Sequence, residues 1–103
     1  MPTSFINIRD CVRKKVSEMC FAGASISDEE IGAKKISDLP LKQDPRMPGA
    51  SPYDGLAAML RSCTDVDIPN LTGNKLEQNQ EWSVDDIARF IYVETVTKKG
   101  EDI

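Results

Sequence analysis

Few side chains in this sequence can do chemistry unaided, and their spacing narrows the choice further. Histidine is absent, which removes the usual general base at neutral pH and the imidazole metal ligand. The three cysteines, Cys11, Cys20 and Cys63, lack the paired spacing of a zinc site. There is no P-loop and no dinucleotide glycine fingerprint. The carboxylate pairs Glu29/Glu30 and Asp85/Asp86 stand at helix starts, where negative charge favours the dipole, so capping explains them without an acid/base role. None of these residue types, at this spacing, points by itself to a reaction. A stand-alone enzyme is not expected. Cys63 is either a reactive thiol, if exposed, or a small buried apolar residue.

Composition bounds the partners. The chain has 103 residues, 40% hydrophobic and 29% charged, a balance that suits one globular domain over 1–103 with a modest core. The net charge of −4 disfavours nucleic acid, whose phosphates are held by Lys and Arg. It suits basic docking surfaces on partner proteins, and it equally serves plain solubility. No apolar run is long enough to span a bilayer, and Met1-Pro2-Thr3-Ser4 has no secretory pattern. The expectation is a cytoplasmic protein with no membrane contact, its cysteines reduced thiols. Their odd number at wide spacing is no disulfide framework.

The elements along the chain read as helical. Phe5, Ile8, Val12, Val16 and Met19 form one stripe at helical spacing over residues 5–20, with Arg13, Lys14, Ser17 and Glu18 opposite. Thr3 or Ser4 is the N-cap and Gly23 fits the stop. Ser27-Asp28-Glu29-Glu30 is a capping box that starts a short helix to about Lys35, with Ile31 and Ile36 as its core contacts. Residues 37–52 hold Pro40, Pro45, Pro48 and Pro52, so no helix runs through them; this long loop is either functional or a plain surface excursion. Ser51, Pro52 and Asp54 then fit the N-cap, N1 and N3 of a second main helix, whose apolar face is Tyr53, Leu56, Ala57 and Leu60. That helix ends near Cys63 or Thr64, and Pro69 prevents its return. A short turn of helix fits Lys75 to Gln78. Ser83 and Asp86 cap a last helix with Val84, Ile87, Ala88 and Ile91 on its buried stripe. At Thr95 burial should fade, and 97–103 should fray. Trp82 stands where a hydrophobic staple onto Ile87 is expected, rather than a ligand-stacking ring. The sum is an all-α bundle of three main helices and one or two short ones, with no strand.

This order of parts resembles the acyl carrier protein family. Asp67-Ile68-Pro69 is similar to that family's Ile-Pro ending after the second helix. Trp82-Ser83-Val84-Asp85-Asp86-Ile87-Ala88-Arg89-Phe90-Ile91 is similar to its final helix. The resemblance implies an acyl-carrier-like bundle, with 4′-phosphopantetheine attached to a serine at the start of the second helix. There, free amides and the positive end of the dipole face the phosphodiester. Ser51 stands at that helix end, with Ala50 and Pro52 where the family has aspartate and leucine. Matching Leu56 and Leu60 to the family's buried leucines puts Ala50 in the serine's register, and a one-residue deletion restores Ser51. A cap alone also accounts for Ser51.

Two functions follow. In the first, the chain is a monomeric carrier in fatty acid or secondary metabolite biosynthesis. It holds an acyl or aminoacyl group on the phosphopantetheine of Ser51 and meets partner enzymes through Tyr53, Asp54, Leu56 and Met59. In the second it is an interaction module on the same fold, without a prosthetic group, docking through the proline-rich loop and the second helix. The altered residues around Ser51 favour the module.

Overall fold

The computed structural model describes residues 4–41, 49 and 51–100. Helix α1 runs Phe5–Cys20, and Ser4 is its N-cap. Helix α2 runs Asp28–Ala33 under the Ser27 cap, and a 3-10 turn, Ile36–Asp38, follows. Helix α3 runs Pro52–Leu60 and tightens into a 3-10 turn, Arg61–Cys63. Helix α4 is Gly73–Gln78 and α5 is Val84–Lys99. The capping residues are those expected, but at α2 only the Ser27 half of the expected box forms among the described residues, whereas the boxes at α3 and α5 are reciprocal. Ser27 Oγ accepts from Glu30 N at 3.2 Å, and Ser83 Oγ accepts from Asp86 N at 3.1 Å while Asp86 Oδ2 accepts from Ser83 N. Each such cap satisfies amides that the first turn of a helix leaves without partners. Gly100, at φ 72°, closes α5 in the left-handed conformation that glycine adopts without penalty. The stop at Pro45 and Pro48, Ala50 and the tail beyond Gly100 lie outside the described residues.

Helices α1 and α5 form the main pair and run antiparallel, since Phe5 meets Tyr92 edge-on at 5.7 Å while Arg13 meets Asp85. Helix α3 packs on α1 and α4, also antiparallel to α1. The core is the expected stripe: Ile8, Val12 and Val16 of α1, Leu56, Ala57 and Leu60 of α3, and Val84, Ile87, Ala88 and Ile91 of α5. Ile31, Ile36, Ile68, Leu71 and Leu76 fill the gaps between them. Burying each such aliphatic side chain contributes roughly 1.5–3 kcal/mol. Among the described residues there is no strand, but one antiparallel bridge pins the start of α5 to the chain after α2. There Ile36 N donates to Trp82 O and Val84 N to Lys34 O, both at 2.9 Å.

Three readings of the sequence are corrected. Arg13 is buried, not on the exposed face. Its guanidinium forms a two-pronged pair with Asp85, Nε to Oδ1 at 2.9 Å and Nη2 to Oδ2 at 2.7 Å. An arginine at the edge of a stripe reaches inward when a carboxylate waits there. Thr95 is 1% exposed, because its hydroxyl pairs with that of Thr64 at 2.7 Å and so meets the cost of burial. Trp82 packs against the core cluster that holds Ile87, and its ring also meets Phe90 at 5.6 Å between centroids. Cys11 and Cys63 are bonded as a disulfide rather than held as reduced thiols. Antiparallel packing of α1 and α3 brings their Cα atoms to 5.6 Å, within the usual disulfide range.

Candidate functional site

The N-terminus of α3 is built by three residues. Ser51 takes an extended conformation (φ −71°, ψ 146°) and Pro52, whose φ is already helical, occupies the first helical position. Ser51 Oγ accepts from Tyr53 N at 3.1 Å, and Asp54 Oδ2 accepts from Ser51 N at 3.2 Å. The box is reciprocal, so the amide and the hydroxyl oxygen of Ser51 both have partners; the residue is half-exposed, and among the described residues its hydroxyl donates to none.

Helix α4 leans on the same point. Gly73, its first residue, is buried against Asp54. A Cβ there would overlap Asp54 Oδ1, and it would fall 2.6 Å from Asp54 N and 2.8 Å from its Cα. Gly73 is thus a contact residue that the sequence reading missed. Its local signal was faint, a glycine just after the Thr72 cap, whose Oγ1 accepts from Lys75 N at 3.1 Å. No turn there requires glycine; the close approach of α3 does.

The partner-contact residues separate. Tyr53 and Met59 are half-exposed, with Tyr53 packed against the core. Asp54 is exposed but engaged in the cap and against Gly73. Leu56 is 0% exposed. The assignment of Leu56 to a partner surface is corrected, since helical spacing puts it on the buried face with Ala57 and Leu60. The exposed positions on this segment are Asp54, Gly55, Ala58, Arg61 and Ser62. Arg61 Nη2 donates to Leu71 O at 2.9 Å and so ties the end of α3 to the loop before α4.

Elsewhere the ionisable groups are structural. Hydrogen bonding to Asp85 raises the pKa of Arg13 above its ordinary value, against the opposing effect of burial. The Lys99 ammonium, 3.0 Å from Asp65, holds that exposed carboxylate below its usual value. Burial pushes the Cys20 thiol up. Among the described residues no cluster of His, Cys, Asp or Glu is arranged to hold a metal, and no helix is long and apolar enough to cross a membrane. An open groove on α5 is lined by Trp82, Asp86, Arg89, Phe90 and Val93. It holds no nucleophile.

The fold and site thus define an all-α protein with a capped, half-exposed serine at the start of its middle helix. No protein-family model, curated protein sequence or solved structure matches this chain.

Proposed function

We propose that this chain is a carrier-like protein that holds an acyl or aminoacyl group on a 4′-phosphopantetheine arm at Ser51 and presents it to partner enzymes. The observation that carries this reading is the position of Ser51. It is a half-exposed serine at the positive end of α3, following the proline-rich segment and flanked by α4. Its hydroxyl accepts one hydrogen bond and donates none among the described residues, which favours its esterification. The arm supplies a thiol on a long tether; the protein's part is to hold that tether on a rigid helix end and offer Tyr53, Asp54 and Met59 beside it.

One observation favours the second reading, an interaction module without a prosthetic group. The Asp54 carboxylate sits on Ser51 N, where a phosphodiester's negative charge would lie close by. A cap with no other task also explains that geometry. The two readings part in one experiment. The protein is produced with a broad-specificity phosphopantetheinyl transferase, its intact mass is measured, and fragmentation locates any adduct. The carrier reading expects one phosphopantetheinyl group, on Ser51 and absent from Ser51→Ala. An unmodified protein, with the native transferase also inactive on it, leaves the module.

A further inference from the structure

The Cys11–Cys63 bond joins the middle of α1 to the turn that ends α3, across 52 residues of chain. Both cysteines are half-exposed, so a small thiol can reach the bond. Leu60, the last residue of α3, is anchored in the core, and Arg61 Nη2 holds Leu71 O at 2.9 Å, but the turn that follows is itself lightly packed. No residue of the Arg61–Cys63 turn is buried. Thr64 N reaches Arg61 O at a long 3.4 Å, Ser62 Oγ donates to Met59 O, and Thr64 pairs with Thr95. The α1–α5 pair does not depend on the bond, since Ile8, Val12, Val16, Ile87, Ala88 and Ile91 bury their side chains between the helices and Arg13 grips Asp85.

Cys20 stays outside this chemistry. It lies about 13.5 Å further along α1 than Cys11, at 1.5 Å per residue. It is half-buried, and burial keeps it largely as the thiol rather than the attacking thiolate. The bond therefore has two states, closed or open, without a competing third partner.

We infer that the Cys11–Cys63 bond is a redox latch on α3. Closed, it holds the C-terminal end of α3 on α1. Opened by a dithiol, it loosens residues 61–64 while Leu60 stays in the core and α1 and α5 stay paired. In opening, a thiolate of the dithiol attacks one bridge sulfur, the S–S bond breaks, and the other sulfur leaves and takes a proton. The dithiol's second thiol then closes its own disulfide and frees the first cysteine as a thiol. Two electrons pass to the protein, and a small-molecule disulfide reverses the step. Arg61 and Ser62 lie on the loosened segment, so the surface at the end of α3 depends on the state of the bond. This inference stands whether or not Ser51 carries a group.

Hydrogen exchange read by mass spectrometry tests it on the full chain, oxidised and then reduced with dithiothreitol, beside a Cys11→Ser/Cys63→Ser variant. The latch expects exchange at residues 61–64 to rise on the order of tenfold or more on reduction, with α1 and α5 unchanged. The variant should exchange like the reduced protein under both conditions. Three alkylatable thiols in the oxidised protein would overturn the inference. So would an equal rise across α1, α3 and α5, which marks a simple staple acting through global unfolding, or no change at all. Should the variant fail to fold, the reduced wild-type protein decides by the same criteria.

Discussion

Replacing Gly32 by alanine sets two effects of opposite sign against each other. Gly32 lies inside α2 with no positive φ, where alanine ordinarily stabilises a helix by about 0.5–1 kcal/mol. Here the new Cβ would fall 2.6 Å from Arg13 Nε and from both carboxylate oxygens of Asp85. Those atoms are the two prongs of the ion pair, so the pair must open or α2 must lift off it. Parting a buried pair costs about 3–5 kcal/mol because it leaves a charge without its partner. The Asp85 side chain is 34% exposed, and water screening reduces that figure to about 2–3 kcal/mol. The clash wins, and the net loss is about 1–2 kcal/mol. Urea unfolding followed by circular dichroism should show a lower midpoint, by roughly 1 M, with the slope unchanged. In an Arg13→Ala/Asp85→Ala background the obstacle is gone, and Gly32→Ala should become neutral or stabilising. A midpoint equal to or above wild type for the single substitution would refute the reasoning.

Three further outcomes are expected. Ser51→Ala should lower stability by about 1 kcal/mol, the worth of a serine cap, in a urea titration of unmodified protein; a loss beyond about 2 kcal/mol would mean that Ser51 does more than cap. Gly73→Ala should cost more than Ser51→Ala, because its Cβ meets backbone of Asp54 that cannot swing aside, and an unchanged midpoint would deny the close packing of α4 on α3. Alkylation of Cys20 by iodoacetamide should reach half its limiting rate at a pH above that of a free model thiol. Burial favours the neutral form, so the thiolate appears later as pH rises. An inflection at or below the model thiol's would contradict the half-buried setting.

Helix boundaries were legible because they are set locally. Ser27 with Glu30, Ser51 with Asp54 and Ser83 with Asp86 announce their helices within four residues, and the structure starts α2, α3 and α5 there. The core was legible for the same reason, since the stripe of Ile8, Val12 and Val16 follows from 3.6 residues per turn. What stayed hidden depends on which helices meet. Arg13 looks like a surface residue until Asp85 is brought to it from the far end of the chain, and Gly32 has no visible purpose until that pair lies beneath it. Thr95 looks like the end of burial until Thr64 supplies its partner. Cys11 and Cys63 are 52 residues apart, and no local spacing foretells their bond. Leu56 shows the converse: helical spacing alone could have kept it off a partner surface, because it shares the face of Ala57 and Leu60.

Asp54 is the residue on which the two functional readings turn. Its carboxylate completes the cap by accepting from Ser51 N at 3.2 Å. A phosphodiester on Ser51 Oγ would bring a second negative charge to within roughly 5 Å of it. At an effective dielectric between about 20 and 80, the repulsion is about 1–3 kcal/mol, and the exposure of Asp54 puts it toward the lower end. Asp54→Asn keeps an oxygen acceptor for the cap and removes the charge. If Ser51 is an attachment site, this substitution should speed its modification by a phosphopantetheinyl transferase about fivefold, the equivalent of 1 kcal/mol. The modified fraction is read by intact mass against time. A carrier would then be tolerating a carboxylate that slows its own loading, a cost that makes sense only if the cap is needed to hold α3 in place. If neither protein is modified, the carboxylate has no phosphodiester to repel. Ser51 is then a helix cap, and the exposed part of α3 is the surface whose partner is to be sought.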